Sequence, residues 1–220
     1  MGEPVSSGAP RRRDARRNRD LLVAAARAVF AEYGLDAPLD EIARRAGVGN
    51  ATLYRHFPRR SALVEAVFHG TLDRTRQAGE AARDGADPWA ALAGYLETVF
   101  AGLAADRGTN DLMTSGAHGS EEFAALHAHN RATVTLLLDR AQQQGTVRPD
   151  VVTEDVLFHL AALGRAVPAL TLTSPDAWRR CLHLLLDGLR TAEPTPLPAP
   201  PLTADQLDAV LTELGPHRGR

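Results

Sequence analysis

The chain has 220 residues, enough to bury one large core or two small ones, and its 24% charged and 44% hydrophobic fractions are those of an ordinary globular protein, which excludes collagen-like and low-complexity disordered classes. Its net charge of −2 hides an asymmetry: residues 1–60 carry 12 Arg against 7 acidic residues, and residues 61–220 carry 13 Arg against 20. A basic front and an acidic rear fit a chain whose N-terminal module meets a polyanion, while an ordinary solvated Arg-rich tail is the plainer alternative. The single Cys181 excludes an intramolecular disulfide and fits a reducing cytosol. No run of 18 apolar residues occurs, and no apolar stretch follows the basic N-terminal cluster. Neither a membrane span nor a secretory signal is therefore expected, and the cytoplasm is the expected location.

Residues 1–15 are rich in Gly, Pro and Ser and then in Arg, and are expected to be a disordered basic arm. From about Arg16 the spacing of Leu21, Leu22, Ala25, Ala28, Val29 and Phe30 predicts a helix that stops at Gly34. Residues 39–57, LDEIARRAGVGNATLYRHF, then read as two short helices around Ala46-Gly47-Val48-Gly49. Leu39, Ile42 and Ala43 form the apolar side of the first, and Leu53 and Phe57 that of the second. Gly47 can take the positive φ that redirects the chain, and Val48 fills the angle between the helices. Helix, tight Gly-containing turn, helix is a helix-turn-helix. With Leu53 and Phe57 inward, Asn50, Ala51, Tyr54 and Arg55 point outward. Asn pairs with adenine edges, Arg with guanine edges or phosphate, and Ala meets a thymine methyl. Thr52, Tyr54 and His56 offer groups suited to phosphate oxygens. Spacing alone also allows an αα-corner within an all-helical enzyme or sensor that has no DNA function.

The same stretch, extended through Pro58 to Val67, resembles the DNA-binding signature of the TetR (tetracycline repressor) family of bacterial regulators. Asp40, Glu41, Ile42, Ala43, Ala46, Gly47, Val48, Thr52, Leu53, Tyr54, His56, Phe57 and Leu63 carry the resemblance, which spans roughly residues 16–68. Two capping positions depart from it, with Pro38 and Gly49 where the family has Thr or Ser. A missing cap hydroxyl costs about 1 kcal/mol when Ala replaces it and only tenths when Gly does. The resemblance implies a helix-turn-helix domain over 16–60, a helical effector-binding and dimerisation domain over 61–192, and a remainder over 193–220. It also implies a phosphate contact from Arg60 and an arm, Arg11–Arg13, that either enters the minor groove or merely adds nonspecific affinity.

Pro58 is expected to open a connecting helix reaching about Asp84, and Asp87-Pro88 to cap and start the next. Further helices are predicted over 88–105, near 111–115, and over 120–144, 153–172 and 175–191. No useful alternating pattern occurs, so the fold class is all-α. The last two long helices are apolar on more than one face, which calls for burial on more than one side. The family resemblance makes them, at about 153–191, a homodimer interface; two recognition helices related by a two-fold axis then read a palindromic operator. Residues 193–202 are a Pro-rich linker, and residues 203–214 either dock as a short helix or fray.

His118, His127, His129, His159 and His183 do not form a metal site by spacing, and Ser115 and Ser120 lack a nucleophile-elbow context. No catalytic residue, metal or cofactor is expected. Cys181 lies in an apolar helical run, which favours a small buried hydrophobe over a redox sensor. By resemblance, a small-molecule effector pocket is expected among the helices over 88–172. Trp89, Tyr95, Phe100, Met113, Phe123, His127, Phe158 and Arg165 are its candidate walls and orienting groups. The sequence thus reads as a DNA-binding transcriptional regulator, a homodimeric repressor released by its effector.

Overall fold

A computed structural model describes residues 8–105, 107–114, 121–190 and 193–214. Among them lie ten helices and no strands: α1 (Gly8–Tyr33), α2 (Leu39–Ala46), α3 (Asn50–His56), α4 (Arg60–Arg83), α5 (Pro88–Ala105), α6 (Arg107–Thr114), α7 (Glu121–Gln143), α8 (Thr153–Thr173), α9 (Ala177–Leu189) and α10 (Ala204–Leu214). They divide into two compact units, Met1–His69 and Gly70–Arg220, and α4 contributes to both.

The first unit closes around Leu22, Ala26, Val29 and Phe30 of α1, Ile42 and Ala43 of α2, Leu53 and Phe57 around α3, and Leu63, Val67 and Phe68 of α4, all buried. These are the inward positions of the helical periodicities, each worth ~1.5–3 kcal/mol for a fully buried large side chain. Phe30 and Phe68 stack with ring centroids 6.2 Å apart. The helix stops fall on glycines: Gly34 and Gly47 take φ of 81° and 68°, which other residues adopt only at a cost. One boundary differs from expectation. Helix α1 begins at Gly8 rather than near Arg16, so residues 8–15 of the expected disordered arm are helical. Pro10 falls in the first turn, where no amide is needed, and the Ala and Arg residues that follow are good helix formers. Residues 1–7 lie outside the described residues.

In the second unit α5, α7, α8 and α9 share one core, containing Leu92, Leu96, Leu103, Leu137, Leu138, Val156, Val167 and Trp178. Phe100 and Trp178 stack at 6.2 Å with an interplanar angle of 12°. Helix α4 packs on α7 through a glycine: a Cβ at Gly79 would stand 2.5 Å from His129 Nε2. Arg83 fastens the seam, donating to Thr133 Oγ1 at 2.9 Å and to the His129 carbonyl at 3.1 Å.

Helix α8 carries Pro168 in its interior. Proline has no N–H, so the carbonyl of Gly164, four residues earlier, loses its helical donor. Asn110 of α6 supplies one instead, its Nδ2 lying 2.6 Å from Gly164 O and 3.4 Å from Leu103 O. The approach is close, since a Cβ at Gly164 would come within 2.9 Å of both Leu103 Cδ1 and Thr114 Cγ2. Helix α6 spans Arg107–Thr114, starting before the expected 111–115. Residues Ser115, His118 and Ser120 lie outside the described residues.

Residues 203–214 dock. Thr203 and Gln206 form a reciprocal capping box at the start of α10, and Leu207 is fully buried. One helix, α8, is long and apolar enough to cross a membrane by length and composition, with an 18-residue window of mean hydropathy 1.5, although no membrane span was expected. Only 22% of that window is buried within the chain.

Candidate nucleic-acid interface

The helix-turn-helix is held by backbone and charge rather than by capping hydroxyls. Neither Pro38 nor Gly49 makes a side-chain cap bond. Gly49 instead has extended backbone and accepts the Thr52 amide at 2.8 Å. Asn50 Nδ2 donates to Asp40 Oδ1 at 2.9 Å, tying the N-terminal ends of α2 and α3 together. At the turn, Val48 N–H returns to the Ala43 carbonyl at 3.1 Å.

A charge network fixes α2 against the end of α1. Glu41 accepts from Arg44 at 2.7 and 2.8 Å and from Arg45 at 2.7 Å, and these two guanidinium groups hold its carboxyl at about 2. Arg45 also pairs with Glu32 at 2.8 Å and lies over the Tyr33 ring at 5.5 Å. Arg19 of α1 stacks over Phe57, which closes α3, with 5.3 Å to the ring centroid. Isolated exposed pairs contribute little, but these share Arg45 and Glu41 and join α2 to α1, while the Asp40–Asn50 bond and Arg19 over Phe57 hold the two ends of the seven-residue α3.

That helix presents Asn50, Ala51, Tyr54 and Arg55 as exposed residues, with Thr52 half-buried. Two further expected phosphate contacts, Arg60 and His56, are half-buried. Arg60 is turned inward, its Nη1 donating to the carbonyls of Leu35 at 2.6 Å and Ala37 at 2.8 Å. Those carbonyls belong to the loop between α1 and α2. His56 is half-buried, and its Nε2 is enclosed without a hydrogen-bond partner. Sequence reasoning missed the Asp40–Asn50 pair and the Arg60 brace, because each joins atoms that only the fold brings together.

None of the eight candidate effector residues lines the cavity found between α8 and α9. Tyr95 and Phe100 are core residues, with Trp89 and Met113 packed against the same core. Tyr95 donates its hydroxyl to Asn130 Oδ1 at 2.7 Å, and burial raises its pKa. Trp89 lies under the Arg190 guanidinium at 5.1 Å. Phe123 is buried outside that core, Phe158 meets His159 edge-on at 5.7 Å, and His127 and Arg165 are half-buried. That cavity, of about 590 Å³, has Leu163, Cys181, Leu184 and Leu185 among its walls and Leu197 at its edge. Among the described residues no cluster of three His, Cys, Asp or Glu side chains could hold a metal.

Two family models match the chain. Residues 22–67 match "Bacterial regulatory proteins, tetR family", and residues 87–191 match "Transcriptional regulator SbtR-like, C-terminal domain". Among solved structures, a TetR transcriptional regulator from Streptomyces coelicolor is 35% identical over 80% of this chain and 99% of its own, with a TM-score of 0.51. The chain belongs to the TetR family. As a TetR-family protein it is a DNA-binding transcriptional regulator with an N-terminal helix-turn-helix and a C-terminal helical domain, in a family that is regulatory rather than enzymatic. The fold is shared more widely. FadR from Bacillus subtilis, in complex with stearoyl-CoA, is 16% identical over 79% of this chain and 98% of its own (TM-score 0.59). The ketosteroid transcriptional regulator KstR2 of Mycobacterium tuberculosis is 21% identical over 79% and 95% (TM-score 0.54). No match is found among curated proteins.

Proposed function

We propose that this TetR-family regulator is a cytoplasmic, homodimeric repressor that binds a palindromic operator and is released from it by a small organic effector. The observation that carries the reading is the outward face of α3. Asn50, Ala51, Tyr54 and Arg55 are exposed on a short helix whose opposite side is buried and whose two ends are braced. Arg55 and Asn50 are the base-reading residues, with Ala51 against a thymine methyl; Asn50 must exchange Asp40 for a base edge to do so. Tyr54 and Thr52 position the helix on phosphates. Arg60 braces that surface from within through the carbonyls of Leu35 and Ala37, and His56 lies beside the phosphate-facing residues at the end of α3.

One seven-residue helix contacts too few base pairs for useful specificity, whereas two related by a dyad read a palindrome. The dimer face runs along α8 and α9, where Leu172 is 90% exposed and Leu184 63% exposed. An apolar helix left largely uncovered within its own chain requires a cover, and a second copy supplies it. The effector is held in the C-terminal domain, among the helices over residues 88–172. A neighbour of the same fold holds stearoyl-CoA, which supports an organic ligand without fixing which. Release follows only if the effector binds the non-operator state more tightly than the operator-bound state.

The test compares variants on the selected operator and on single-base substitutions of it. Arg55→Ala is expected to relax preference at one position of each half-site, at ~1–3 kcal/mol per site. Tyr54→Phe is expected to weaken binding to all sequences evenly. Unchanged preference in Arg55→Ala and Asn50→Ala alike would remove α3 as the reading element.

A further inference from the structure

The C-terminal family match ends at residue 191, but the chain beyond it is built into the domain. Arg148 forks onto Asp150 at 2.6 and 2.8 Å, and its Nη2 also donates to the Thr195 carbonyl at 2.6 Å. Leu197 N–H donates back to Asp150 Oδ2 at 3.4 Å. The loop bearing this pair is itself fixed, because Arg148 N–H bonds Leu189 O at 3.0 Å and Gln142 Nε2 holds the carbonyls of Arg148 and Val151. Further on, α10 packs on α8 with Leu207 buried, and Asp208 lies 3.6 Å from Arg131, which also pairs with Glu154 at 2.5 Å. Residues 193–214 are therefore a strap anchored at both ends. Its proline-rich middle has little conformational freedom left to lose on being held.

The strap delivers a side chain to a particular place. Leu197, 45% exposed, stands at the edge of the α8–α9 cavity whose walls include Leu184 and Leu185. We propose that the strap is part of the surface on which a second copy of this chain docks, with Leu197 and Leu184 seated together against the partner. This rests on the α8–α9 homodimer reading. Three features select a second copy as the occupant. The exposed leucines of α8, α9 and the strap extend one apolar face that is already largely uncovered along α8. A two-fold contact requires a patch that complements itself, and apolar knobs beside an apolar cavity satisfy this without charge matching. Arg148, which lines the cavity together with Asp155 and His159, is paired with its own neighbour Asp150, whose carboxyl it holds at about 2, so the latch itself brings no net charge to the face.

Sedimentation equilibrium on the full chain tests this, with circular dichroism and thermal midpoints as controls of the fold. Leu184→Asp is expected to weaken the dimer at least 100-fold. Leu197→Asp is expected to weaken it at least tenfold, and Leu197→Ala less, with helix content unchanged because the side chain is half-exposed. Arg148→Ala, which frees the strap, should move in the same direction. A broken dimer in Leu184→Asp beside wild-type dimerisation in both Leu197 variants would overturn the strap's role and leave the α8–α9 face standing. Wild-type dimerisation in Leu184→Asp would overturn the face itself and the strap inference with it.

Discussion

Asn110 and Pro168 should be energetically coupled although they lie on different helices. The Gly164 carbonyl has no amide from residue 168, and Asn110 Nδ2 at 2.6 Å takes that amide's place. Asn110→Ala removes a hydrogen bond worth ~0.5–1.5 kcal/mol and leaves a buried acceptor unpaired at ~1–3 kcal/mol, so a loss of ~2–3 kcal/mol is expected. Pro168→Ala restores the missing N–H. In the Asn110→Ala background it should recover an extra ~1–2 kcal/mol beyond its effect in the wild type, through the same carbonyl. Both tryptophans, Trp89 and Trp178, belong to the second unit, so urea denaturation followed by tryptophan fluorescence reports the right transition. With an m-value of ~2 kcal/mol/M, Asn110→Ala lowers the midpoint by ~1 M. Additive effects of the two substitutions, within ~0.5 kcal/mol, would refute the reasoning.

Two further outcomes follow from other residues. Arg60→Ala should destabilise the first unit by ~1.5–3 kcal/mol, since a charged donor to two loop carbonyls is lost, while the salt dependence of DNA binding stays unchanged. An unaltered unfolding midpoint with a salt slope reduced by ~1 would instead make Arg60 a phosphate contact. His129, facing Gly79, Arg83, Glu80 and Arg76 of α4, has its pKa lowered first by burial and then by Arg83. The unfolded chain therefore binds the extra proton first. Stability is full well above about 6.5 and is lost as pH falls below it. Urea midpoints at pH 8 and 5.5 should differ less in His129→Gln than in the wild type, and an identical pH dependence would contradict this.

The helix boundaries that proved legible are those written in local chemistry. Gly34 and Gly47 both take positive φ, and Asp87 caps α5 through its carboxylate and the Ala90 amide at 3.0 Å. The alternation of buried and exposed residues along α2 and α3 was equally legible, because a 3.6-residue period fixes which side chains share a face. What the sequence could not show depends on atoms distant in the chain. Arg60 looks like a free surface cation until the loop carbonyls 23 and 25 residues earlier are placed beside it. Pro168 lies inside the helix predicted over 153–172, and only the fold shows Asn110 serving the carbonyl that it orphans. Tyr95 and Phe100 were expected to line a pocket, but an aromatic at helical spacing serves a core equally well, and both are core residues here. The C-terminal helix was undecidable because its stability lies in the burial of Leu207 and not in its own propensity.

Fluorescence anisotropy across a salt series tests the central claim most directly, using a duplex selected by the protein from genomic fragments and a scrambled duplex as control. A sequence-reading TetR-family regulator should bind the selected duplex at nanomolar concentration, with a preference of ~10³ or more over the scrambled one. Its affinity for both should fall steeply with salt. Equal, weak binding to the two duplexes at every salt concentration would contradict the account.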